Sequence, residues 1–88
     1  MKLKKDFVLR QVAGAWVVLP LGEMTVNFDG MLTLNGTGAL LWKRLEAGAD
    51  REALADALTN EYEVSRQQAL EDVDAFVQKL RAAGCMED

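Results

Sequence analysis

With 88 residues, half of them apolar, the chain can bury one small core, and a single domain over residues 1–88 is expected. A net charge of -4 disfavours duplex DNA as a partner, and the absence of histidine removes the commonest general base. No apolar run is long enough to span a membrane, and Met-Lys-Leu-Lys-Lys-Asp at the N-terminus leads into no signal-peptide core, so a cytoplasmic protein with no membrane partner is expected.

Residues 7–12, Phe-Val-Leu-Arg-Gln-Val, are rich in β-formers and predict a strand. Ala13-Gly14-Ala15 predicts a turn. Residues 16–19, Trp-Val-Val-Leu, are a continuous apolar run that suits a buried strand, with Pro20 closing its ladder. Beyond a connection at residues 21–23, Met24, Val26 and Phe28 alternate with Thr25 and Asn27; Asp29-Gly30 and then Met31-Leu32-Thr33-Leu34 follow. Asp-Gly between two strand-like runs is the strongest short-range hairpin signal. A two-residue turn there sets Phe28 opposite Met31, Asn27 opposite Leu32 and Thr25 opposite Leu34. Met24, Val26, Phe28 and Met31 then share one face and Leu32 and Leu34 the other, leaving apolar groups on both.

Asn35 is a good N-cap where the helical half begins. The first helix ends at Gly48, with Leu41 and Leu45 four apart and Leu40 and Trp42 beside them. Gly36 and Gly38 weaken its first turn by roughly 1 kcal/mol each relative to alanine, so packing must hold it. Asp50 caps a second helix to about Tyr62, with Leu54 and Leu58 inward, Ala55, Ala57 and Tyr62 flanking, and Arg51, Glu52, Asp56 and Glu61 in solvent. Ser65 and Gln68 form the Ser-x-x-Gln capping box of a third. Leu70, Val73, Val77 and Leu80 recur at helical spacing, with Phe76 widening the stripe. Lys79 and Arg81 suit the dipole of its last turn, Gly84 stops it, and residues 85–88 form a short tail.

Little here supports catalysis. Glu71, Asp72 and Asp74 read as the solvated side of the third helix rather than carboxylates converging in a cleft. Cys85 is a single thiol: it forms no internal disulfide, and without histidine it makes a poor nucleophile and a poor metal site. Gly36 and Gly38 open a helix after a strand, but no complete phosphate-loop motif accompanies them. The residues point to a protein that is not an enzyme and uses no cofactor and no metal.

Strands followed by three helices predict an α+β fold that is winged-helix-like, with an N-terminal antiparallel three- or four-stranded β-sheet followed by three α-helices. Winged helices often read DNA, but Glu71, Asp72 and Asp74 would stand where the phosphates approach, so no nucleic-acid partner is expected. The same scaffold offers a groove between a sheet edge and a helix, where an extended peptide can add a strand.

The run Leu34-Asn35, Thr37, Leu41-Trp42 and Leu45 resembles the Leu-Asn-x-Thr…Leu-Trp-x-x-Leu signature of PqqD-like proteins, the coenzyme PQQ synthesis protein D family. Glu61-Tyr62, Asp72-Val73, Phe76, Leu80 and Gly84 are similar in order and spacing, so the resemblance covers nearly the whole chain. It implies a small domain of three strands and three helices that serves as a recognition element for ribosomally made, modified peptides. Such a domain holds the leader of a precursor peptide and presents it to a modifying enzyme, often a radical S-adenosylmethionine (radical SAM) enzyme. The leader adds as a strand to the third strand and lies against the third helix. Carried onto this chain, the peptide-binding positions are Met31, Leu32, Thr33 and Leu34 on the strand, and Val73, Phe76, Val77 and Leu80 on the helix. The chain departs from the pattern at Gly36, where an acidic residue is common, and at residues 24–28, which are long enough for a fourth strand.

Two alternatives stay open. An exposed edge strand is a template for self-pairing, so an assembly module forming a homodimer would use the same residues. A winged-helix nucleic-acid binder is the other, against the charge. For peptide binding, proline at Leu32 is expected to remove an N–H that the added strand needs.

Overall fold

The first hairpin turns on two residues in the left-handed region, Ala13 at φ 51° and Gly14 at φ 83°. Consecutive positive φ values make a type I′ turn, whose twist matches that of the strands it joins. In the computed structural model, which describes residues 2–22 and 32–87, the turn connects β1 (Phe7–Val12) to β2 (Ala15–Pro20). A third strand, β3 (Leu32–Leu34), lies on the other side of β2, giving an antiparallel sheet of order β1-β2-β3. The expected strand at residues 24–28, the Asp29-Gly30 turn and Met31 lie outside the described residues.

A two-residue turn closes on a hydrogen-bonded pair, here Val12 and Ala15. Counting alternately from it, Ala15, Val17 and Leu19 direct their N–H and C=O groups to β1, and Trp16, Val18 and Pro20 direct theirs the other way. Pro20, opposite Phe7, therefore sits where β1 needs no N–H, so it is the last residue of the strand and not its stop. Trp16 faces Leu34 and Val18 faces Leu32 across to β3, with Val17 opposite Thr33 between them. Leu32 and Leu34 thus take the cross-strand bonds. The N–H and C=O of Thr33 point away from β2, to the outer edge of the sheet.

One face of the sheet buries Phe7, Leu9, Val18 and Leu34, with Trp16 and Leu32 packed half-buried against the same core. On the opposite face Val17 is also buried, outside that cluster.

Three helices follow: α1 (Gly36–Glu46), α2 (Arg51–Glu61) and α3 (Arg66–Ala82). Each has the expected N-cap, which satisfies a backbone N–H that the helix itself cannot. The side chain of Asn35 accepts from Gly38 N–H at 2.8 Å, that of Asp50 from Ala53 N–H at 2.8 Å, and that of Ser65 from Gln68 N–H at 3.1 Å. The capping box of α3 closes on one side only, because Gln68 Nε2 turns forward to donate to Asp72 Oδ1 at 2.8 Å. At the other end Gly84, at φ 80°, donates to Arg81 O, and Cys85 N–H donates to Leu80 O. This is the Schellman arrangement, and it stops α3 where the glycine stands.

Leu41, Trp42 and Leu45 of α1, Leu54 and Leu58 of α2, and Ala69, Val73, Val77 and Leu80 of α3 meet the sheet in one core. Two expectations need correction. Ala69 takes the buried position at the start of the α3 stripe and leaves Leu70 half-buried, and Tyr62, at the extended C-cap of α2, is 42% exposed. The tail is also tied down. Leu3 and Met86 form an antiparallel bridge, Lys4 N–H donates to Cys85 O, Glu87 N–H donates to Lys2 O, and Cys85 is fully buried. Lys43 of α1 lies 4.3 Å from the ring centre of Trp16, a cation–π contact between helix and sheet. No helix among the described residues is long and apolar enough to cross a membrane.

Candidate functional site

Between β3, the first turns of α1 and the outer side of α3 lies an open pocket of about 410 Å³. Leu34 forms its strand side, and Asn35, Thr37, Gly38 and Leu41 bring in α1. Its helix wall is Asp72, Ala75, Phe76 and Lys79. These four follow one another at i, i+3, i+4 and i+7, the spacing of one helix face.

Gly38 lets the three elements meet. A Cβ there would stand 3.2 Å from Leu34 Cβ and 3.2 Å from Phe76 Cε1, so any larger residue would push Leu34 or Phe76 back by a few tenths of an ångström. No such contact surrounds Gly36. The helix-propensity cost expected of both glycines therefore has a packing reason at Gly38 alone.

Of the expected strand positions, Leu34 is buried and lines the pocket, Leu32 is half-buried against the core, and Thr33 is exposed on the edge. Met31 lies outside the described residues. Of the expected helix positions only Phe76 lines the pocket, at 9% exposure. Val73, Val77 and Leu80 face the core and are not among the lining residues. They belong to the common core, and the face turned to the groove is the neighbouring one. Asp72 and Lys79, read from sequence as a solvated acid and a dipole-complementing cation, belong to that face. A stripe read at i, i+3, i+4 and i+7 from Asp72 would have found it, but charge at both ends made it look like solvent surface.

Lys79 reaches back across the groove, and its Nζ donates to Thr33 O at 3.4 Å. The contact joins α3 to the carbonyl that points out of the sheet edge. Asp72, at the other end of the stripe, is half-buried and accepts from Gln68.

Other charges on α2 and α3 pair with one another. Arg51 at the start of α2 forks onto both Asp74 oxygens at 2.8 and 2.9 Å. Those bonds, with the guanidinium charge, hold the Asp74 carboxyl below its ordinary range despite some desolvation. Arg66 likewise donates to Asp56 and Glu52, and this raises its own pKa. The acids expected to be free on α2 and α3 are thus partly used to join the two helices. Burial pushes the Cys85 thiol up to about 11, with the Lys4 charge opposing the shift. A thiol so protonated is a poor nucleophile. No cluster of three or more potential metal ligands occurs among the described residues.

A three-stranded antiparallel sheet, three helices, and a β3 edge beside the last helix that no described strand pairs define an α+β fold of winged-helix type. The family model for coenzyme PQQ synthesis protein D, PqqD, matches residues 15–86, and the chain belongs to that family. Two solved structures are similar over nearly their full length. "TbiB1 in complex with the TbiA(beta) leader peptide" is 26% identical, with a TM-score of 0.81 over 99% of this chain and 95% of that one. "Lasso peptide synthetase B1 complexed with the leader peptide" is 31% identical, with a TM-score of 0.80 over 99% of this chain and 96% of that one. No curated protein matches the chain.

Proposed function

We propose that this protein binds the leader of a ribosomally made precursor peptide as an added strand on β3 and presents it to a modifying enzyme, without catalysing the modification itself. The observation that carries this reading is Thr33. Register parity turns its N–H and C=O to the outer edge of the sheet, alongside a groove walled by Ala75 and Phe76. Backbone pairing supplies affinity in strand addition, and pockets for alternate side chains supply selectivity. Membership of the PqqD family and the two leader-bound structural relatives support the same reading. Because one of those relatives is a lasso peptide synthetase component, the precursor class proposed here is a lasso-type peptide, ahead of a substrate of a radical SAM enzyme.

The test is an NMR titration of labelled protein with the TbiA(beta) leader peptide and with leader peptides of precursors encoded beside it. Shifts concentrated at residues 32–34 and on the Asp72, Ala75, Phe76 and Lys79 face are expected. An unchanged spectrum with every leader would overturn the proposal. Sedimentation at several concentrations addresses homodimerisation through the same edge, which a concentration-independent monomer excludes.

A further inference from the structure

We infer that Lys79 selects for an acidic side chain on the bound peptide, so that the peptides this groove takes are extended segments with a carboxylate beside Thr33. The inference rests on the strand-addition reading above and adds a chemical requirement to it.

The Lys79 ammonium occupies the acceptor that a new strand needs. Thr33 O points to the outer edge, and Lys79 Nζ donates to it at 3.4 Å. An antiparallel or parallel neighbour would put one of its own N–H groups on this oxygen. Before a peptide arrives, Lys79 stands in for that N–H. It also stands at an edge that no described strand pairs, and lysine commonly guards such edges against unwanted pairing.

Once displaced, the ammonium cannot move far. Its helix is fixed by the buried Val77 and Leu80, and its four-carbon stem only lets the head swing. On an added strand, the residue directly across from Thr33 points its side chain to the outer face, as Thr33 does. The residues on either side of it point to the face carrying Leu32 and Leu34, towards α3. An Asp or Glu at one of those two positions meets the released ammonium. Asp72, seven residues earlier on the same helix face, lies about 10 Å away along the axis, with Ala75 and Phe76 between. The groove therefore has a positive end at Thr33, an apolar middle and a negative end, and this polarity fixes the direction in which a charged peptide lies.

The experiment measures binding of ten-residue peptide pools, each with one position fixed to a single amino acid, together with the TbiA(beta) leader peptide. The proteins are the wild type, Lys79→Met and Lys79→Glu, all exposed substitutions checked for folding by amide spectra. The wild type should favour Asp or Glu at one position by about two- to fivefold, the range of a solvent-accessible ion pair. Lys79→Met, which keeps the stem, should lose that preference, and Lys79→Glu should favour Lys or Arg at the same position. A wild type that binds pools and leader without acidic preference, or a preference that survives in Lys79→Met, overturns the inference and leaves strand addition standing. A wild type that binds neither the pools, the TbiA(beta) leader nor the leaders encoded beside it overturns both.

Discussion

Gly38 lies so close to Phe76 that a methyl group on its α-carbon would stand 3.2 Å from Phe76 Cε1 and 3.3 Å from Asn35 Oδ1. The floor of the groove and the N-cap of α1 therefore share one glycine. Gly38→Ala should lower stability by about 1–3 kcal/mol, as overpacking does, in spite of its gain in helix propensity. Gly36→Ala, with open space around it, should be neutral or stabilising by up to about 1 kcal/mol. Thermal melts of the two variants side by side check this.

Register parity corrects the choice of proline probe. Leu32 N–H belongs to the β2 side of the strand and Thr33 N–H to the free side. Leu32→Pro should break the sheet itself. Thr33→Pro should keep the native circular dichroism spectrum and abolish leader binding, since proline is tolerated on an edge strand where its missing N–H faced outward. Fluorescence anisotropy with a labelled leader peptide reads the second effect. Full binding by a folded Thr33→Pro protein would refute strand addition at this edge.

The helix positions divide by what they touch. Leu80 is fully buried, so Leu80→Ala should cost about 2–5 kcal/mol through the cavity it leaves. At peptide concentrations well above Kd, the fraction that remains folded should bind as the wild type does. Phe76→Leu keeps most of the core volume but reshapes the groove floor, and should weaken binding more than it lowers the melting temperature. Denaturation and binding measured on the same samples separate the two.

Cys85 gives a pH signature. Its thiol is held up to about 11 in the fold against an ordinary value of 9.0, so the folded state retains a proton that the unfolded state releases first. The stabilisation is complete below about pH 9 and is lost as pH rises towards 11. Over that interval the urea midpoint should fall more steeply for the wild type than for Cys85→Ala. At pH 8 iodoacetamide should modify the native thiol only at the rate at which the protein opens.

The exposed Arg51–Asp74 fork predicts a local effect. With Arg51 replaced by alanine, the Asp74 carboxyl should return upward towards its ordinary range, because the bonds that lower it are gone. In the wild type, whatever the pair contributes is present above that ordinary range and is lost as acid titrates Asp74 at its lowered value. Carbon-detected NMR titration of the Asp74 carboxyl measures the shift directly.

Nearest-neighbour chemistry was readable from residue order alone. Ala13-Gly14, the caps at Asn35, Asp50 and Ser65, the stop at Gly84 and the apolar stripes of the helices each depend on residues within a turn or two of one another. The parity that turns Thr33 outward also follows from a two-residue hairpin, once β3 is known to pair with β2. That pairing is a tertiary fact, because the segment between them leaves open which strand Leu32 and Leu34 join. Packing alone likewise decided which face of α3 meets the core. Val73, Val77 and Leu80, expected at the groove, are buried in the common core, and about a third of a turn away Asp72, Ala75, Phe76 and Lys79 line the groove. A helical period gives the width of an apolar stripe but not which of its borders a neighbouring strand will leave open, and here that border carries the binding surface proposed for the peptide.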